Sequence, residues 1–455
     1  MQSLRPDPHH PIRKRLWQAG LAVGLFLTVI VIQQTVVRLR DGSEQLKLGG
    51  DYLPVYAAAT LVREGRGAEL YSIEPLAQIE RQIVGKANLE PLPIYGPFLN
   101  PPFFAAAFEP LSRLEYRQSA LAWLALNLLL LAGSIALLCR LPPPGGGWKD
   151  WGLVPLLIVL PIPFWQAMCH QQNTFLSLFL LCAIVTLWRR AAQPGVTDQP
   201  RQRKMSDVIA GVLAGLLFYK PQLALILSIA LVLTVGRRAL LGLLLAGGTI
   251  LIATLWLMPG ALEQYLARLP SGVNLIQLRP DYKWSRQMTP LGFWRLLIQG
   301  HGGGLTHLSA QFLTLGTMTI AAAALAAVFW RVIRQPQRPA SFDRTIAATI
   351  VITPLLMPYF MDYDLLLLAV PAVLFAAEYA QSGQRLLRVD RLLLWAWIAL
   401  FFSLYANPGV GGETRLNIAM PLIGTVAALS LARCLSKQVV SAMPASYHVR
   451  LGMAA

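Results

Sequence analysis

Long apolar segments separated by short polar connectors run along most of this chain. A helix rises about 1.5 Å per residue, and a bilayer's hydrocarbon layer is about 30 Å thick. On that measure, segments near 16–37, 118–139, 152–169, 173–190, 206–219, 221–236, 239–258, 306–330, 345–358, 363–380, 391–407 and 416–433 read as membrane crossings. The pattern predicts an all-α polytopic membrane protein with about 12 transmembrane helices. Segments 206–219 and 345–358 are short and read as tilted, broken or re-entrant. The segment at 16–37 has the basic flank and apolar core of a signal peptide. The core is too long, however, and no small-x-small cleavage site follows, so it reads as a retained first helix.

The connectors set the orientation. Residues 1–15, 189–205, 237–238, 331–344 and 385–391 are rich in Lys and Arg, which places them and both termini in the cytoplasm. The expected location is a multi-pass protein of the inner (plasma) membrane. Two large external loops result, 38–117 and 259–305, within a single integral-membrane domain, 1–455. In the first loop, Tyr56, Ala59, Leu61 and Val62 suggest one short amphipathic helix, and Ile73, Leu76, Ile79 and Ile83 another. Pro97, Pro101 and Pro102 then block further helix.

Composition narrows the class. The chain is 55% hydrophobic and 13% charged, with mean hydropathy +0.52. A soluble domain carries about 25% charged residues. The formal net charge of +17 does not point to nucleic acid, because the basic residues sit at the ends of apolar segments. Cys139, Cys169, Cys182 and Cys434 fall within or beside apolar segments, so no disulfide framework or zinc site is expected. There is no phosphate-cradling Gly-x-x-x-x-Gly-Lys loop, so ATP drive is not expected.

Chemistry-bearing residues collect on the outer side. Asp51 follows two glycines that permit close backbone approach. It is either a base for a hydroxyl proton or the N-cap of a helix over 52–64. His170-Gln171-Gln172-Asn173, at an outer turn, offers groups for sugar hydroxyls or helix capping. Lys220, before Pro221 and Gln222, suits a lipid phosphate or snorkels to the headgroups. Arg279, Lys283 and Arg286, with Tyr282 and Trp284, suit a sugar phosphate or an interfacial anchor. His301 can donate to a phosphate or serve as an ordinary loop residue. Tyr359, Asp362, Tyr363 and Asp364 form another outer turn, with too few oxygen ligands for a metal.

Gly50-Asp51-Tyr52-x-x-x-Tyr56-Ala57-Ala58, with Gly65 and Leu70-Tyr71, resembles the opening of glycosyltransferase family 87. Tyr95-x-x-x-x-x-Pro101-Pro102-Phe103 with Pro110-Leu111, the Gln172-Asn173 turn, Lys220-Pro221-Gln222 and Asp362-Tyr363-Asp364-Leu365 extend the resemblance over about the whole chain. One departure stands out: the turn reads His170-Gln171-Gln172-Asn173, with no glycine before either glutamine where the family pattern expects one. The resemblance implies a GT-C-like fold, with two large external loops containing short amphipathic helices. It also implies a polyprenyl-phosphate sugar donor, a mannose-like hexose, a lipid or glycan acceptor and inversion at the anomeric carbon. Asp51 would be the catalytic base. Lys220, Arg279, Lys283, Arg286 and His301 would meet the donor phosphate. Tyr52, Tyr56, Tyr95, His170, Gln171, Gln172, Asn173, Gln222, Tyr359, Asp362 and Asp364 would line the sugar and acceptor site. Membrane lipids are the other expected partners; no cofactor or metal is expected. Two rival readings remain at this stage, a flippase for lipid-linked sugars and a non-catalytic envelope assembly protein.

Overall fold

The computed structural model describes residues 50–86, 96–141, 153–192, 200–279, 282–334, 339–382 and 387–436. Among these residues every regular element is helical, apart from one isolated antiparallel bridge between Gln287 and Met361. The first loop holds α1 (Tyr52–Arg63), α2 (Ile73–Lys86) and α3 (Pro102–Ala107), with short 3-10 turns at Gly67–Glu69 and Glu109–Arg113. Then follow α4 (Tyr116–Leu138), α5 (Leu153–Val159), α6 (Ile162–Cys169), α7 (Thr174–Ala192), α8 (Pro200–Leu216), α9 (Pro221–Val235) and α10 (Arg237–Leu257). The second loop holds α11 (Ala261–Gln277), a 3-10 turn at Trp284–Arg286 and α12 (Pro290–Gln299). The chain continues through α13 (Leu308–Arg334), α14 (Pro339–Leu356), a 3-10 turn at Asp362–Leu368, α15 (Ala369–Ser382), α16 (Arg388–Glu413) and α17 (Ala419–Leu435).

Among the described residues five helices are long and apolar enough to cross a membrane: α4, α7, α10, α13 and α16. α9 and α17 are apolar but shorter. The protein is a multi-pass membrane protein. The segment at 16–37 and Tyr95 lie outside the described residues. Where the apolar run at 152–169 predicts one helix, the structure has two, α5 and α6. They part at Pro161, with Pro163 in the first turn of α6, because proline lacks the N–H that would continue the ladder. The apolar stretch from 363 begins as the 3-10 turn Asp362–Leu368 before relaxing into α15.

Polar side chains gather in two layers, and α7 measures the distance between them. At its start, Thr174 Oγ1 donates to Asp364. Near its end, Arg189 donates through Nε and Nη2 to Asp343, at 2.7 and 2.9 Å. Fifteen residues of helix separate the two, about 22 Å. The second layer continues through Arg433, paired with Asp390 at 2.7 Å and Glu378 at 3.0 Å, and through Arg344, also on Glu378. These bonds tie α7, α14, α15, α16 and α17 together at the end whose connectors are rich in Lys and Arg.

Elsewhere the helices meet through small residues. α8 carries Gly211-x-x-x-Gly215, which lies on Ala239, Gly242 and Ala246 of α10. A Cβ on Gly211 would collide with the Ala239 carbonyl, and one on Gly242 with that of Val208. Such close backbone approach is how small-x-x-x-small pairs gain dispersion energy in lipid, where apolar burial adds little.

α1 is buried almost all round, with Ala57, Ala58, Ala59 and Leu61 fully covered. α2 packs beside it through Leu76 and Ile79 while its Glu74 and Arg81 form an exposed pair. Glu80 of α2 points inward. One oxygen accepts the Gly96 N–H at 3.3 Å, and the other is buried without a partner among the described residues. Burial raises its carboxyl from the usual 4.5 to about 7. The folded protein therefore holds this proton more tightly than the unfolded chain. The resulting stability is complete below about pH 4.5 and is lost as pH rises through about 7. Glu80→Gln should flatten the fall in melting temperature between pH 5 and pH 8. At pH 8 it should be more stable than wild type, by at most about 3 kcal/mol, as thermal unfolding of the detergent-solubilised protein would measure.

Candidate active site

The site is built around the tight turn between α6 and α7. α6 ends at Cys169, and the chain reverses through Gln171, whose φ of +47° is the one positive value at a non-glycine among the described residues. This conformation is easy for glycine and costs other residues about 1–2 kcal/mol. The left-handed residue stands directly before Gln172, in the turn where the family resemblance expects a glycine. The Gln171 carbonyl is held by Trp123 Nε1–H of α4, at 2.9 Å.

The turn presses on the start of the first loop. The Asp51 N–H donates to the His170 carbonyl at 3.0 Å. Gly50 allows this contact, with φ of +46°; a Cβ there would stand 2.7 Å from the His170 oxygen. Asp51 occupies the N-cap position of α1, but its side chain makes no capping bond. Its Oδ2 instead accepts a hydrogen bond from Gln172 Nε2. Gln172 is buried, whereas Asp51 is exposed.

Two ion pairs bring in distant segments. Arg286, from the second loop, grips Asp362 with Nε at 2.9 Å and Nη2 at 3.0 Å. The same Nη2 meets Gln166 Oε1 at 2.8 Å and His170 Nε2 at 3.2 Å. A guanidinium only donates, so the His170 Nε2 in this contact is an acceptor. Burial works against the Arg286 charge, but Asp362, with Asp51 adding in the same direction, holds the guanidinium above its ordinary value. Lys220 donates to Asp364 Oδ1 at 2.6 Å, and Thr174 donates to the same oxygen at 2.8 Å. Tyr359 stands close by, its phenol pushed up by burial and by the charges of Asp51 and Asp364.

Asp51, His170, Gln172, Arg286, Tyr359, Asp362, Asp364 and Lys220 thus come together in one polar layer. The other sequence-predicted residues have different surroundings. Tyr52 and Tyr56 are buried; their hydroxyls meet Ser119 at 2.6 Å and the Leu114 carbonyl at 2.7 Å, and Tyr52 stacks on Trp123. They fasten the first loop to α4. Gln171 and Asn173 lie in the turn, with Gln171 Oε1 and Asn173 Oδ1 buried and unpartnered among the described residues. Gln222 is half-buried in the first turn of α9. Lys283 is exposed, Arg279 follows the end of α11, and His301 Nε2 lies 2.9 Å from the Thr414 carbonyl. No hydrogen bond joins these three to the Asp51 layer among the described residues. Gln166 and Thr174 were not anticipated. The signal was a glutamine one turn before His170 inside an apolar run.

The segment before α3 is wired to the same layer. Asn100 donates to the Tyr219 carbonyl at 3.0 Å, and its own carbonyl accepts from Tyr71 at 2.7 Å. The Tyr219 hydroxyl reaches Ser177 at 2.6 Å and the Asn173 carbonyl at 3.1 Å.

Compared with known proteins, residues 98–358, more than half of the chain, match the family model of glycosyltransferase family 87. The match includes Gln172, Lys220 and Arg286; it starts after Asp51 and stops before Asp362. No curated protein and no solved structure matches.

Asp362→Asn should leave the half-buried Arg286 without a full counter-charge and lower stability by up to about 3 kcal/mol. Arg81→Ala, which breaks the exposed pair with Glu74, should cost under about 1 kcal/mol; chemical denaturation of both variants tests the contrast. Gln171→Gly should preserve or raise the melting temperature by removing the left-handed strain. Gln171→Val, β-branched at positive φ, should lower it by several degrees.

Proposed function

Since the chain belongs to glycosyltransferase family 87 and is a membrane glycosyltransferase, we propose that it moves a hexose, mannose-like, from a polyprenyl-phosphate donor to a lipid or glycan acceptor on the outer face of the membrane. The observation that carries this reading is an exposed carboxylate, Asp51, within reach of the charge of a half-buried guanidinium, Arg286, at the end of the bundle opposite the Lys- and Arg-rich connectors.

The chemistry runs as a single displacement. The acceptor oxygen forms a bond to the anomeric carbon as the bond from that carbon to the phosphate oxygen breaks. The electron pair leaves with the polyprenyl phosphate, and the acceptor proton passes to Asp51. A carboxylate is a weak base, so proton transfer comes late, once the attacking hydroxyl has become acidic. Attack opposite the leaving phosphate inverts the centre. Charge developing on that phosphate calls for fixed cations. Arg286 suits this role: Asp362, Gln166 and His170 engage its Nε and Nη2, and Nη1 makes no hydrogen bond among the described residues. Lys220 stands on the far side of the same turn, held by Asp364. Arg279, Lys283 and His301 are the further cations proposed to meet the donor as it arrives, and Tyr359 is proposed to face the sugar.

A lipid-borne donor also fits the surroundings. An apolar cavity of about 330 Å³ opens between α6, α15 and α16. Its wall includes Leu365, the residue after Asp364, together with Leu366, Pro163, Trp397 and Phe401. A flippase needs polar groups along a path through both leaflets. Here the charged side chains of the bundle stand in two layers about 22 Å apart.

Purified protein incubated with a panel of radiolabelled polyprenyl-phosphate sugars should release polyprenyl phosphate and label an acceptor. Asp51→Asn should keep its expression and melting temperature and lose turnover by about 10²–10⁴-fold. If no donor in the panel is consumed, or if the Asn variant turns over normally, the reading fails.

A further inference from the structure

We infer that Gln172 is a positioning residue that fixes the orientation of the Asp51 carboxylate, in place of the sugar-binding role its residue type suggests; this rests on the reading of Asp51 as base.

Three observations carry it. Gln172 is 7% exposed, so little of its side chain is open to a soluble group, and its Nε2 is committed to Asp51 Oδ2. The backbone on both sides of the contact is clamped independently. Gln172 N–H donates to the Ala167 carbonyl at 3.0 Å, and Asp51 N–H to the His170 carbonyl at 3.0 Å. The positive φ at Gln171 reverses the chain directly before Gln172. The acid is exposed and stands at the N-cap of a loop helix, where a carboxylate ordinarily turns back to cap the helix N–H groups. A carboxamide N–H on one oxygen prevents that rotation and keeps the other oxygen in a fixed direction. A general base misdirected by about 1 Å loses on the order of a hundredfold in rate.

Other groups bear on the same carboxylate. Arg286, Tyr359 and Tyr363 feel the Asp51 charge. His170 flanks it through the backbone, and Asp362 and Asp364 pair with Arg286 and Lys220. These groups are common to wild type and the Gln172 variants, so a change in pH profile on substitution reports the Gln172 contact itself.

The test uses the full-length protein in detergent with radiolabelled polyprenyl-phosphate mannose or, where the panel above selects another hexose, its polyprenyl phosphate. Gln172→Leu should lower kcat by about 10–100-fold with acceptor and donor KM unchanged within about threefold. Gln172→Glu sets two carboxylates face to face, and such a pair retains a proton. The acid limb of its kcat/KM profile should therefore move to higher pH, while the melting temperature at low pH stays near wild type. A raised acceptor KM at constant kcat in Gln172→Leu would overturn the inference in favour of substrate contact. An unmoved pH profile in Gln172→Glu would also overturn it. If Asp51→Asn retains turnover, the base assignment falls with everything built on it. If Asp51→Asn is inactive and the Gln172 variants behave as wild type, only the positioning role falls.

Discussion

A hydrocarbon interior offers polar groups nothing to bond to, and this constraint arranges the whole molecule. Every charged side chain must reach a partner or a boundary. The described helices comply by collecting carboxylates and cations at their two ends. One end is a structural clamp in which Arg189, Arg344 and Arg433 are matched by Asp343, Glu378 and Asp390. The other holds cations matched by Asp362 and Asp364, and there alone an acid of the first loop is brought alongside. The candidate active layer is the one in which a solvent-exposed carboxylate, Asp51, joins the paired charges.

Its parts come from distant stretches of chain. Asp51 opens the first loop, Gln172 sits in a turn between helices, Arg286 belongs to the second loop, and Asp362 lies in a later turn. The ion pairs Arg286–Asp362 and Lys220–Asp364 each close a long loop, and removing one member leaves the other charge poorly solvated. The geometry of the candidate site and the stability of the half of the protein around it therefore rest on the same bonds.

Much of this was readable from the residues alone. Apolar length and basic connectors marked the membrane segments, and the three- and four-residue spacing of Ile73, Leu76, Ile79 and Ile83 marked α2. The glycines before Asp51 signalled close backbone approach, which Gly50 makes to His170. Other features left no local trace. The partner of Lys220 is 144 residues away, and that of Arg286 is 76 away. No periodicity encodes such pairs, so both cations read as free for phosphate. Tyr52 and Tyr56 show why residue type alone misleads: an aromatic ring that suits sugar stacking suits Trp123 and Tyr116 equally well. At 152–169 the information was present, since Pro161 and Pro163 are plain in the sequence. The apolar run simply outweighed them.

The seam between α8 and α10 has a mechanical consequence. With Gly211 and Gly242 against opposing carbonyls, and only alanine methyls such as that of Ala246 between the helices, the seam leaves little room for either helix to roll or slide alone. α8 leads through Tyr219 to Lys220, and the C-terminal end of α10 leads into α11 and the second loop. The seam thus joins the segment that carries Lys220 and the helix that precedes the second loop into one close-packed unit.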